Sequence, residues 1–158
     1  MTKSMREDRE QSPQFVPHSL PGFLCFAVYT TNLAFSRAYR PLLEQHGLTY
    51  PQFLALVALS EEDRQTVGQL GKKLFLESST LTPLLKRLEA TGFVTRHRDD
   101  EDERQVRIAL TAKGRSAYEA IFLRCSTLVQ ATGLDQEHYV RMQAELITLR
   151  DTLLGADK

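Results

Sequence analysis

Apolar residues recur at helical spacing in the first third of the chain, from Leu20 to Leu43. They follow the i, i+3, i+4, i+7 pattern of an amphipathic helix: Leu24, Ala27, Val28, Thr31, Ala34, Phe35, Ala38 and Leu42. Ser19 is a suitable N-cap for this helix, and Pro21 is tolerated in its first turn. The pattern therefore predicts one long helix that begins close to Leu20 and ends at His46-Gly47.

A compact pair of helical segments follows a second helix, which Thr49 caps and which runs from Pro51 to about Ser60. The first segment of the pair is Thr66 to Leu74, and three residues separate it from the second segment, Ser78 to Glu89, which Gly92 closes. The second segment carries an apolar stripe that we expect to face the core: Leu81, Leu84, Leu85 and Leu88.

Two short segments then alternate between apolar and polar residues, Phe93 to Arg96 and Gln105 to Leu110. This alternation predicts a two-stranded hairpin. A further helix follows from Ala112 to about Gln130, capped by Thr111, and a last helix extends through Leu153. The order of helix, turn, helix and hairpin predicts a mainly α (α+β) fold of the winged helix-turn-helix class.

Charge is distributed unevenly although the net charge is zero, with twenty basic and twenty acidic residues. Between residues 64 and 98 there are two acidic residues, Glu77 and Glu89, against seven basic ones: Arg64, Lys72, Lys73, Lys86, Arg87, Arg96 and Arg98. The five residues from Asp99 to Glu103 are all acidic. A basic block around one small element indicates a surface that binds nucleic acid phosphates.

Other function classes have weaker support in the sequence. No apolar stretch is long enough to span a membrane, and the polar N-terminus does not resemble a signal peptide, so we expect a cytoplasmic protein. The two cysteines, Cys25 and Cys125, are too few for a disulfide scaffold and start as free thiols. The histidines lack metal-ligand spacing, so we expect neither a metal site nor a cofactor: His18, His46, His97 and His138.

The second helix of the pair and the hairpin supply the predicted contacts with double-stranded DNA. Small polar side chains at the helix N-terminus let the backbone approach the major groove, and basic side chains follow about two turns later. Arg104 at the hairpin tip is long enough to enter a minor groove, and Asp102 could hold its guanidinium in a bidentate pair. The predicted contacts are Ser78, Ser79, Thr80, Thr82, Pro83, Lys86, Arg87, Arg96, Asp102 and Arg104.

Three segments together resemble the MarR family of bacterial regulators: Leu84–Arg96, Asp102–Val106 and Ala109–Thr111. The resemblance extends from about Leu20 to the C-terminus. It implies a homodimer with two-fold symmetry, built from the long N- and C-terminal helices. Its two recognition helices would lie about one DNA turn, ~34 Å, apart on a palindromic operator.

The resemblance and the predicted elements give a division of the chain. Residues 1–18 are charged, contain proline and are expected to form a mobile arm. Residues 19–158 are expected to form one domain. Within it, residues 19–48 and 112–158 are the dimerisation helices, and residues 49–111 are the DNA-binding region.

Four segments resemble the organic-hydroperoxide-sensing, OhrR-type branch of that family: Leu24–Tyr29, Tyr39–Leu43, Gly47–Phe53 and Phe75–Leu85. The resemblance implies that Cys25 is the peroxide sensor, and that Tyr39 and Tyr50 donate hydrogen bonds to it from the partner subunit. Tyrosine hydroxyls favour the thiolate, which is the form that attacks a peroxide. Phe23 and Phe26 would give bulky organic hydroperoxides an apolar approach.

These roles predict a repressor, not an enzyme, that binds its operator when reduced and is released when Cys25 is oxidised. The resulting sulfenic acid would condense with a second thiol, either Cys125 or a low-molecular-weight thiol. A MarR-type repressor released by an aromatic ligand in the dimer cleft is the alternative regulator. A thiol peroxidase is the alternative from another class, and it has little support because no C-x-x-C pair is present.

Overall fold

The computed structural model describes residues 18–99, 102 and 104–155. The predicted mobile arm lies outside the described residues except for His18. The chain divides into two units, residues 1–37 and 38–158. In the part described, no helix is long and apolar enough to cross a membrane.

The elements follow the predicted order, with one additional strand. In chain order they are a 3₁₀ turn (Leu20–Gly22), α1 (Leu24–Glu44), α2 (Tyr50–Glu61), β1 (Gln65–Thr66), α3 (Val67–Leu74), α4 (Ser78–Ala90), β2 (Val94–Arg98), β3 (Val106–Leu110), α5 (Ala112–Gln130) and α6 (Gln136–Gly155).

The start of the first helix differs from the sequence prediction. Residues Leu20–Gly22 form a separate 3₁₀ turn, and Ser19 precedes this turn without making a side-chain cap. Phe23 is extended, with φ −80° and ψ 120°, so it interrupts the helical ladder. Because α1 begins only at Leu24, Cys25 lies in the first turn of the helix and not in the second.

The winged helix-turn-helix prediction is confirmed. The sheet has the antiparallel order β1-β3-β2, and β2 pairs with β3 from Val94–Leu110 to Arg98–Val106. The strand β1 was not predicted. It contains two residues, Gln65 and Thr66, which are too few to show an alternating pattern.

The helix α4 is held in place by the leucines that its helical period places on one face. Leu81, Leu85 and Leu88 are buried in a core that α2 and the sheet also supply. Leu84, the fourth member of the predicted stripe, packs against this core while remaining partly exposed. The opposite face of α4 is left to solvent.

The start of α5 is attached to the chain that leaves α4. Thr111 caps α5 by accepting a hydrogen bond from Gly114 N at 3.0 Å, and its own hydroxyl donates to Gly92 O at 2.7 Å. A Cβ atom on Gly114 would lie 2.0 Å from Phe93 O. The junction therefore requires a residue without a side chain at this position.

We expect Gly114→Ala to destabilise the protein by about 2–4 kcal/mol, because the added methyl group overlaps a backbone oxygen that cannot move alone. Gly68→Ala is the matched control. Gly68 lies inside α3, and a Cβ atom added there would meet only Thr66 Oγ1, at a distance of 4.0 Å. Urea denaturation compares the two variants with the wild type. A free energy of unfolding for Gly114→Ala equal to that of the control would contradict the packing.

Candidate DNA-binding and thiol sites

The polar face of α4 presents most of the predicted DNA contacts together. Ser78, Ser79 and Thr80 at its N-terminus are exposed, and Thr82 is half-buried. Further along the helix, Pro83, Lys86 and Arg87 are exposed. The first-turn serines lie where backbone N–H groups have no partner inside the helix, so this end of α4 favours phosphate oxygens.

Arg96 differs from the predicted contacts on α4 because it is engaged within the protein. It lies on β2, its side chain is half-buried, and Nη1 is 3.6 Å from Glu89 Oε2 on α4. This ion pair connects β2 to α4. Arg98, two residues further along β2, is exposed.

The side chain of Asp102 does not hold the Arg104 guanidinium, contrary to the sequence-based interpretation. Its Oδ1 accepts from the backbone N of Arg104 at 3.0 Å, and its Oδ2 accepts from Gln105 Nε2 at 3.0 Å. The aspartate side chain is short, so in a turn it bonds readily to the backbone N–H two residues later. Here that bond takes the place of one to the Arg104 guanidinium. Asp102 therefore shapes the turn at the hairpin tip, and Arg104 remains exposed there.

Two acidic residues that the sequence did not single out fasten the base of the wing. Asp99 pairs with Arg107 Nε, while Arg107 Nη1 donates to Arg64 O at 3.0 Å. Asp63 Oδ1 accepts from Leu110 N at 2.9 Å. No sequence signal could have identified these pairs, because their members come from separate loops and strands.

Cys25 is exposed in the first turn of α1. An open recess of about 350 Å³ surrounds it, lined by Leu20, Phe23, Phe26 and Tyr29. The lining is mainly apolar, and the position is one at which the helix dipole stabilises an anion. The thiol is thus accessible to a reagent with an apolar body.

Cys125 lies in the other unit, beside both predicted tyrosines. The Tyr39 hydroxyl donates to Cys125 Sγ at 3.9 Å, and the Tyr39 and Tyr50 ring centroids are 5.0 Å apart. The thiol in turn donates to Ile121 O at 3.5 Å. The structure therefore brings Tyr39, Tyr50 and Cys125 of one chain together, a contact that the sequence did not predict.

Both tyrosines of this cluster retain their protons well above neutral pH. Burial raises the pKa of Tyr39, and the adjacent Cys125 sulfur raises it further. The pKa of Tyr50 is also raised, first by burial and then by Cys125 and Tyr139. The two hydroxyls therefore remain hydrogen-bond donors across the physiological range.

The other site predictions concern metals. The described part of the chain contains no group of three or more His, Cys, Asp or Glu residues that could hold a metal ion. His97 contacts Thr95, and His138 Nδ1 lies 2.6 Å from Asp135 Oδ2 at the start of α6.

Comparison with known proteins identifies relatives that regulate transcription. Residues 37–121 match the family described as transcriptional regulator SarA/Rot. The helix-turn-helix-type transcriptional regulator TtmR of Methylorubrum extorquens is 50% identical over 137 residues, which cover 87% of this chain and 70% of TtmR. The organic hydroperoxide resistance transcriptional regulator of Bacillus subtilis is 40% identical, over 82% of this chain and 88% of its own length.

A solved structure is similar in both fold and sequence. Reduced AbfR bound to DNA superimposes with a TM-score of 0.75 at 39% identity, covering 85% of this chain and 92% of that chain. AbfR is a protein of Staphylococcus epidermidis. Its disulfide form matches with a TM-score of 0.60 at 40% identity, covering 84% of this chain and 88% of that one.

The tyrosine cluster predicts a late step in the ionisation of the protein's five tyrosines. Burial disfavours the tyrosinate, so Tyr39 ionises above its ordinary pKa of 10.0. An absorbance titration follows tyrosinate formation as the pH is raised. We expect Tyr39→Phe to remove the part of the absorbance change that occurs at the highest pH.

Cys125→Ala is the informative comparison for this titration. Burial is the largest single cause of the raised pKa and persists without the sulfur, so removal of the sulfur should lower the Tyr39 pKa only part of the way to its ordinary value. A complete return to the ordinary value would show that the sulfur, and not burial, is the main cause.

Proposed function

Because the chain belongs to the SarA/Rot family of transcriptional regulators, we propose that it is a redox-responsive repressor. In this proposal a homodimer binds a palindromic operator when reduced, and oxidation of Cys25 by an organic hydroperoxide releases it. The observation that carries the proposal is the setting of Cys25, an exposed thiol at a helix N-terminus inside an apolar recess. Two relatives support it: the Bacillus subtilis protein is an organic hydroperoxide resistance regulator, and AbfR has reduced and disulfide forms.

Unpartnered apolar surface supports assembly into a homodimer. The helix α6 has no buried residue, although it exposes six large apolar side chains: Val140, Met142, Leu146, Ile147, Leu153 and Leu154. The N-terminal unit exposes others along α1, among them Leu24, Val28 and Phe35. Exposed apolar faces on two long helices fit a second copy of the same chain, as in a MarR-type dimer.

DNA binding is assigned to α4 and the wing. The exposed polar N-terminus of α4 enters the major groove, and Lys86 and Arg87 contact phosphates or guanine edges. Arg104 at the wing tip enters the adjacent minor groove. Asp102 contributes by fixing the turn that presents Arg104, and Arg96 by holding β2 against α4.

The sensing step is a two-electron oxidation of sulfur. The Cys25 thiolate attacks the terminal oxygen of the hydroperoxide, the O–O bond breaks, and the alcohol leaves after taking up a proton. The sulfur is thereby oxidised to a sulfenic acid. A second thiol then attacks this sulfur, a disulfide forms, and water is released.

Cys125 of the partner subunit is the second thiol in this proposal. Tyr39 and Tyr50 are assigned to Cys25 of the partner subunit, and Cys125 already accepts from Tyr39 within their own chain. A Cys25 that docks against these tyrosines is therefore brought next to Cys125. This placement favours Cys125 over a low-molecular-weight thiol as the resolving group.

Operator release tests the sensor. A duplex selected from a random pool by the reduced wild type is followed by fluorescence anisotropy during titration with tert-butyl hydroperoxide. We expect the wild type to be released and Cys25→Ser to remain bound, because serine cannot form a sulfenic acid. If both remain bound, Cys25 is not the switch and control by an aromatic ligand becomes the working hypothesis.

A non-reducing gel tests the second thiol. After peroxide treatment we expect the wild type to run as a covalent dimer, and both Cys25→Ser and Cys125→Ser to run as monomers. Iodoacetamide added before the gel prevents exchange after unfolding. A covalent dimer in Cys125→Ser would exclude Cys125 as the resolving thiol, whatever the result for operator release.

A further inference from the structure

We propose that Lys113 is a positioning residue for DNA recognition, which fixes the C-terminal end of α4 against the first turn of α5 and does not itself contact DNA. This inference rests on the proposed function in one respect, the assignment of DNA binding to α4. It assigns a role to a basic residue outside the recognition helix and the wing.

The ammonium group of Lys113 is engaged at the exit of α4. Its Nζ donates to Thr91 O at 2.6 Å, and Thr91 is the C-cap residue of α4. The same Nζ lies 4.5 Å from the centroid of the Phe93 ring. One cation thus contacts both a carbonyl at the end of the helix and the residue that begins the path into β2.

The charge of Lys113 complements the end of the helix that it contacts. The last carbonyl groups of a helix lack partners within the helix and carry the negative end of its dipole, so a cation there is favourable. A lysine held in this way has less freedom to reach a phosphate. Its effect on DNA binding is therefore expected to pass through the position of α4.

Neighbouring contacts make the attachment rigid. Thr111 Oγ1 donates to Gly92 O at 2.7 Å, and Thr111 N donates to Phe93 O at 3.1 Å. Gly114 lies directly against the same carbonyl oxygen. These contacts join the start of α5 to the chain between α4 and β2, and Lys113 adds to them the direct link to the helix cap.

The position of this exit matters because a tilt of α4 at its C-terminal end displaces its N-terminal end. The helix has thirteen residues, so its serine-bearing N-terminus lies about 20 Å from the exit. A small change of angle at Thr91 therefore becomes a displacement of an ångström or more at the base edges.

Lys113→Met tests the inference, since methionine keeps an unbranched side chain and removes the ammonium group. We expect the reduced variant to bind the selected duplex roughly fivefold more weakly, the effect of losing one exposed charged contact. Lys113→Arg should restore binding, because a guanidinium can also donate to Thr91 O and stack on Phe93. Thermal denaturation checks that both variants are folded at the assay temperature.

Salt dependence separates positioning from a direct phosphate contact. Loss of one phosphate contact lowers the slope of log affinity against log salt by about one. We expect this change for Lys86→Met, which serves as the comparison, and an unchanged slope for Lys113→Met. A reduced slope for Lys113→Met, or wild-type affinity, would overturn the inference.

Hydrogen exchange tests the attachment without DNA. The amides of Gly92 and Phe93 donate to Glu89 O and Leu88 O, both at 2.9 Å, and we expect them to exchange faster in Lys113→Met. Unchanged exchange would overturn the inference even if the protein binds DNA. If the wild type binds no duplex, the proposed function fails, while the exchange result still decides whether Lys113 holds the exit of α4.

Discussion

The burial of one leucine face of α4 is the interaction on which the winged helix-turn-helix depends. Leu81, Leu85 and Leu88 are almost completely removed from solvent, and each contributes roughly 2 kcal/mol of hydrophobic stabilisation. Because these residues recur every three or four positions, burying them fixes the rotation of the helix about its axis. The same rotation turns the serines and basic residues outward, so core packing and the exposure of the predicted DNA contacts are set by one constraint.

The wing and the start of α5 are arranged around this fixed helix. Glu89 on α4 pairs with Arg96 on β2, and the Thr111 cap of α5 reaches back to Gly92. Charged and polar contacts here connect elements that the leucines alone would leave free to tilt. These contacts attach β2 and the start of α5 to the C-terminal half of α4 and its exit.

The two cysteines occupy environments that suit different chemical roles. Cys25 is exposed among apolar side chains, where a reagent with an apolar body can reach it. Cys125 is half-buried and accepts a hydrogen bond from the Tyr39 hydroxyl. An accessible first thiol and a sheltered second thiol fit the order of events in the proposed switch.

The sequence by itself determined the order of the helices, the hairpin and some of the helix ends, because these follow from local periodicity and from residues such as Thr111 and Gly92, although the predicted cap at Ser19 is not made. It placed the start of α1 at Leu20 instead of Leu24, since helical spacing does not reveal that Phe23 is extended. Only the tertiary structure decided that Cys125 meets Tyr39, a residue 86 positions away, and that Lys113 meets Thr91. Such contacts join residues of α5 to residues far away in the chain, and no local pattern encodes that proximity.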